Sequence, residues 1–219
     1  MLAELLVQNT YAVLVIFARV GAAMMVLPGF GEGFVFPRAR LGLALLLGLA
    51  LAPIAGPSIP PLPASEAEAV AIIASEVVVG LAMGALVRIL ASALQTAGQI
   101  VATQTGLASA ALFDPTQGEQ GVVIGRFLSI AGVVAIFASD LHFAMLRALA
   151  DSYAVLTPGA LPPIAAFGET ALGWVADAFT LAAELAAPIL AGSLVFFLGL
   201  GFLARLMPQI QVFFVVMPL

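Results

Sequence analysis

Apolar runs of membrane-spanning length recur along this chain, and most of them carry a charge well inside the run. Tyr11 to Leu27 has Arg19 at its centre, Val70 to Leu94 contains Glu76 and Arg88, and Val122 to Leu149 contains Arg126, Asp140 and Arg147. Leu41 to Ile54 is free of charge but short, and it runs into Pro53, Pro57, Pro60, Pro61 and Pro63. Leu185 to Ala204 is the cleanest window, with Pro188 near its start, and Leu206 to Leu219 opens a further apolar run. A lipid-facing helix needs about 20 mostly apolar residues, and a charge at the bilayer centre costs at least ~2.5–3.5 kcal/mol on insertion scales. The charged helix faces are therefore expected to meet protein rather than lipid. Glu76 and Arg88 cannot satisfy each other along one helix, since that spacing separates them by about 18 Å. Each needs a partner in another helix or another chain, as in a packed helical assembly.

Composition closes off the soluble classes. Of 219 residues 63% are hydrophobic and 9% charged, against roughly half and a quarter for a soluble domain. The seven basic residues are all Arg, set against twelve acidic ones, for a net charge of −5. No basic stripe exists to bind a phosphate backbone, so no nucleic-acid partner is expected. The chain lacks Cys and has one His, His142, which excludes disulfides, thiolate metal sites and a His-rich centre. No cofactor and no metal are expected, and no catalytic set is visible. Met1 to Gln8 carries Glu4 and no basic residue, so it does not read as a secretory signal.

The pattern predicts an all-α chain with helices over Leu2 to Leu27, Pro37 to Ala52, Ser65 to about Ala108, Gln120 to Ala150, Phe167 to Leu206, and from Gln209 onward. Ser65 with Glu68 forms a capping-box pattern. Ala52 to Ala64 and Leu156 to Phe167 are Pro-rich loops, and Gly29 to Gly33 is a glycine-rich turn without the signature of a phosphate-binding loop. Arg38 and Arg40 against Glu66 and Glu68 point the first loop to the cytoplasm and the second away from it.

Three groups of residues stand out. Glu76, Gly80 and Gly84 recur every four residues, and the glycine pair permits close backbone approach, either within the chain or to another subunit. Gln95, Gln99 and Thr103 share one helical face, with Gln104 beside them. Such an uncharged polar strip reads either as a hydrated channel wall or as interhelical hydrogen bonding. Between two long helices lies Gly106 to Gly118, where bulky Leu112 and Phe113 precede Asp114-Pro115, Thr116 and Gln117. The proline disfavours helix at the residue before it, and irregular backbone at membrane depth must be buried in protein or line a cavity. It is either a pore element or a surface connection.

Read in order, these residues resemble the flagellar biosynthetic protein FliR family of the type III export gate. The matching pieces are Arg19, Pro28-Gly-Phe-Gly-Glu32, Pro37-Arg-Ala-Arg40, Glu76 with Gly80 and Gly84, Ala97-Gly-Gln99, Gln104-x-Gly-Leu107, Asp114-Pro115, His142, Pro158-Gly159 and Ala187-Pro188. The most specific piece is Arg205-Leu-Met-Pro-Gln-Ile-Gln-Val-Phe-Phe214, followed by Pro218. The resemblance implies an all-helical, non-enzymatic subunit of membrane-associated helical hairpins. A FliP-like part would span about residues 1–165 and a FliQ-like hairpin about 166–219. It further implies a hetero-oligomer with several FliP and FliQ copies, FlhB and FlhA nearby, and unfolded flagellar proteins as the cargo. The location implied is the flagellar basal body at the bacterial inner membrane, with much of the channel above the lipid plane. The family's pore plug maps onto Leu112, Phe113, Asp114, Pro115, Thr116 and Gln117. Gln95, Gln99, Thr103 and Gln104 become channel-facing or inter-subunit positions, and Glu76, Gly80, Gly84, Arg88 and Arg205 serve helix packing and ion pairing. Family chains continue beyond the position of Pro218-Leu219, so a truncated C-terminus is expected. Two alternatives stay open: an injectisome homologue, and a stand-alone small-solute transporter using Glu76, Arg88 and Asp140.

Overall fold

The computed structural model describes residues 2–106, 120–160 and 162–206. Helix is the only regular structure among the described residues: α1 (Leu2–Val26), α2 (Pro37–Ala55), α3 (Glu66–Gln104), α4 (Gln120–Ala138), α5 (Leu141–Val155) and α6 (Ile164–Leu206), with a 3-10 turn at Gly56–Ser58. This is the all-α, membrane-type fold the composition demands. Helices α1, α2, α3 and α6 are each long and apolar enough to cross a membrane, and α4 with α5 qualifies as a bent pair.

Three expectations are corrected. The single helix over Gln120 to Ala150 breaks at Ser139-Asp140, where α4 and α5 meet at 74°. Asp140 is left-handed, with φ 60°, a conformation that a short polar side chain tolerates better than most, and the Ser139 hydroxyl donates back to the Ala135 carbonyl at 2.6 Å. The first Pro-rich loop is also shorter than expected: α2 runs past Ala52, through Pro53, to Ala55, and the 3-10 turn follows. Proline removes one helical hydrogen bond, but one missing bond near a helix end is tolerable. At the other loop, α6 starts at Ile164, directly after Pro162-Pro163. Ser65 stands immediately before α3 as expected, its carbonyl accepting the Ala69 N–H at 3.1 Å. The helix expected from Gln209 lies outside the described residues.

The chain divides into two compact units. The first comprises Met1–Ile89 and Val133–Trp174, the second Leu90–Gly132 and Val175–Leu219. In the first, α1 is the central element. Its Ala12, Val15, Ile16, Val20, Ala23 and Met24 are buried, a spacing of three and four residues that sets one broad stripe into the core. Ala44 and Ala55 of α2, Ile72 of α3 and Tyr153 of α5 pack into the same core. Gln8 fastens the loop after α2 to α1, its side chain donating to the Pro60 carbonyl at 3.4 Å and accepting the Leu62 N–H at 2.9 Å.

The second unit packs on small residues. A side chain at Gly98 of α3 would collide with the backbone of Gly125 in α4, and one at Gly132 would strike Leu94. Because the α4 number rises as the α3 number falls, these two segments run antiparallel. Ala93, Ala97 and Ala102 are buried on α3, and the buried residues of α6 are Ala178, Ala182 and Ala186. The rest of α6 is bare: only 6% of its most apolar window is buried, against 50% for α1.

Candidate functional site

The charge in the middle of α1 has its partner in α3. Arg19 and Glu76 are both fully buried, with Nε donating to Oε2 at 2.7 Å and Nη2 to Oε1 at 3.0 Å. Two further bonds hold Arg19: Nη1 donates to the Ser152 hydroxyl at 3.1 Å and Nη2 to the Leu156 carbonyl at 3.1 Å. The Tyr153 ring lies 4.1 Å from the guanidinium carbon, a cation–π contact. Glu76 Oε1 also accepts the Gly159 N–H at 3.0 Å. Gly159 has φ +83°, so the loop after α5 turns back onto the carboxylate through a residue that can take this conformation without strain.

The glycine pair explains how the carboxylate reaches the arginine. A side chain at Gly80 would collide with the Arg19 carbonyl, and one at Gly84 would lie 2.8 Å from the Ala23 carbonyl. The two contacts advance together along both helices, so α1 and α3 run parallel and nearly touch. The close approach expected of this motif thus occurs within the chain, one turn beyond Glu76, and it puts the bidentate pair within reach.

Arg88 behaves differently. It is partly exposed and donates to the Val26 carbonyl at 3.2 Å and to Glu32 at 3.4 Å, where it caps the last turn of α1. Arg40 donates to the carbonyls of Glu32 at 2.9 Å and Val35 at 3.4 Å. The glycine-rich turn between α1 and α2 is therefore held by arginines from two helices. Gly29, at φ +87°, leaves the space that the Phe137 ring fills, and Phe137 also packs against Phe30 and His142. His142 is sandwiched between Phe137 and Phe143.

In the second unit Gln95, Gln99 and Thr103 are exposed on α3, and the Thr103 hydroxyl donates to the Gln99 carbonyl at 2.8 Å. Gln104 accepts from the Ser193 hydroxyl at 3.3 Å, joining α3 to α6 beside an open groove of about 520 Å³ that Phe196 and Phe197 also line. Arg205 is exposed in the last turn of α6. Leu112, Phe113, Asp114, Pro115, Thr116 and Gln117 lie outside the described residues. Among the described residues no group of His, Cys, Asp and Glu could hold a metal ion.

Sequence reasoning singled out Glu76 but could not name Ser152, the Leu156 carbonyl or Gly159 as parts of its setting. It also passed over the second unit's glycine contacts, although Gly125 and Gly132 are seven residues apart and so share a helical face.

Long helices that bury one ion pair, Arg19 with Glu76, and leave many leucines and phenylalanines outside define an all-helical membrane-type subunit. Residues 10–219 match the model of the bacterial export proteins, family 1. The chain is 36% identical to the flagellar biosynthetic protein FliR of Caulobacter vibrioides over 96% of its own length and 84% of that protein. It is 31% identical to FliR of Pectobacterium carotovorum over 93% of its length and 77% of that protein. The Yop proteins translocation protein T of Yersinia pestis is 28% identical over 100% of this chain and 85% of its own. The chain belongs to the FliR family of bacterial export proteins, and it is a type III export-gate subunit. That family is one of secretion components, not of enzymes.

Proposed function

We propose that the chain acts without enzymatic chemistry in the flagellar gate of the bacterial inner membrane, where FliP-like and FliQ-like subunits complete the channel for unfolded flagellar proteins, with FlhA and FlhB adjacent. In this reading residues of about 1–165 form a FliP-like part and about 166–219 a FliQ-like hairpin. The observation that carries the reading is the length of bare apolar surface on α6. Leu172, Phe179, Leu194, Phe202 and Leu206 are all more than 60% exposed. The stretch from the first to the last covers about 50 Å of helix, well beyond a hydrocarbon core of about 30 Å. Asp177 and Glu184 are also exposed within that stretch, so its cover has to combine apolar contact with partners for charge, which neighbouring helices offer and lipid does not.

The small-solute transporter is not favoured. Glu76 spends its carboxylate on Arg19 and Gly159, and Arg88 is engaged by Glu32 and Val26, so neither is a vacant intramembrane binding group.

In the proposed gate, Gln95, Gln99 and Thr103 offer passing polypeptide an uncharged, hydrogen-bonding wall. Leu112 and Phe113, followed by Asp114 to Gln117, form the seal of the closed pore. Deleting Leu112 to Gln117 should make cells carrying the assembled gate leaky to ions, and unchanged leakage would refute the seal. A photocrosslinking amino acid at position 99 should capture a stalled export substrate. Capture of gate subunits alone would place this strip in a subunit interface instead.

A further inference from the structure

One face of α6 carries a regular pattern. Ala178, Ala182 and Ala186 are the buried residues of this helix. On the far side, about 120–180° around the helix axis, lie Asp177, Thr180, Glu184, Ala187, Ala191 and Leu194, all of them exposed. Their spacing alternates three and four residues without a slip. A mean step of about 3.5 residues is the seam along which one long helix follows another.

What fills the seam narrows what can lie on it. Apart from Leu194 and the two acids, its residues are no larger than threonine, which lets two helix backbones come close. The Thr180 hydroxyl donates to the Ala176 carbonyl of its own helix at 3.0 Å, so it requires no bond from a neighbour. Asp177 and Glu184 do. They stand about 10 Å apart along the axis, and neither has an ion-pair or hydrogen-bond partner among the described residues. A helix laid on the seam encloses both carboxylates, and an enclosed carboxylate needs an opposite charge beside it.

This sequence does not contain such a helix. It has no lysine, no two of its seven arginines are seven residues apart, and segments 107–119 and 207–219 hold no basic residue. A second copy of the chain therefore lacks the matching pair of bases as well, and its own α6 would set acid against acid.

We infer that the face of α6 from Asp177 to Leu194 receives one helix of another gate subunit, closely packed and carrying Arg or Lys at two positions seven residues apart. The inference rests on the gate reading and deepens it by naming the chemistry of the partner at this surface.

The test uses the complete gate, purified with all its subunits. A photocrosslinking amino acid at position 180, between the two acids, should join this chain to one helical peptide with two basic residues seven apart. Asp177→Arg with Glu184→Arg should lower the amount of assembled gate about tenfold, because like charges facing each other across an interface are strongly disfavoured. Replacing the two mapped bases of the partner by Glu should then restore assembly. A crosslinked peptide without that basic pair, crosslinking to lipid or to nothing, normal assembly of the reversed chain, or failure of the charge swap to rescue it overturns the inference. Native mass spectrometry of the unaltered preparation separates the two readings. An intact complex alongside any of those results removes the inference alone, whereas a chain that never assembles removes the gate reading and the inference with it.

Discussion

The two units of this molecule solve the same problem by opposite means. The first buries a full positive and a full negative charge and surrounds both with hydrogen bonds, from Ser152, Leu156 and Gly159 as well as from each other. The second brings backbones together at Gly98 and Gly125, seats Leu94 against Gly132, and links helices with uncharged groups such as Gln104 and Ser193. A buried ion pair ties three segments at fixed positions but fails badly if one member is lost. Glycine contacts are individually weaker and tolerate small shifts. In the proposed gate, the first unit would be the rigid part and the second would present its surface to the passing chain.

The largest effect should come from splitting the ion pair. Glu76→Ala leaves a buried guanidinium unpaired and should cost about 3–5 kcal/mol, read as loss of the chain from membranes and of motility. Adding Arg19→Met should recover most of the loss, because an apolar replacement of the whole pair is often neutral. Failure of the double variant to recover would mean that the arginine has a role beyond packing. Next is Gly98→Leu, which forces α3 and α4 apart and should cost about 1–3 kcal/mol, measured as lower thermal stability of the purified gate. If it costs more than Glu76→Ala, the ranking of the two units is reversed.

Gly159→Ala should be milder, about 1–2 kcal/mol, for a side chain at positive φ, and it should loosen the loop as seen by faster exchange of the position 159 amide that donates to Glu76. Smaller still is Arg88→Gln, expected at about 0–1 kcal/mol for a partly exposed pair. Gln99→Leu should leave stability within about 0.5 kcal/mol while slowing export. A change in stability without a change in export would return that position to ordinary packing.

Much of this arrangement was legible beforehand. For Arg19 and Glu76 the charges placed inside apolar runs foretold buried pairing, whereas Arg88, Arg126, Asp140 and Arg147 are exposed. Gly80 with Gly84 foretold a close helix crossing, as helical periodicity requires. The identity of the partners was not legible. Arg19 and Glu76 are 57 residues apart, and nothing in the spacing selects one arginine among seven. The break at Asp140 was equally hidden, since it involves neither glycine nor proline but a left-handed aspartate. Pro53 misled in the other direction, as a single missing hydrogen bond near the end of α2 does not stop the helix.

The central claim is that this chain completes its fold's surface with other gate subunits. Native mass spectrometry of the full-length chain, co-expressed with its FliP-like and FliQ-like neighbours and extracted in mild detergent, tests it most directly. The account predicts one copy within a large complex containing several of each partner. A stable, well-behaved monomer or dimer that ignores those partners would contradict it.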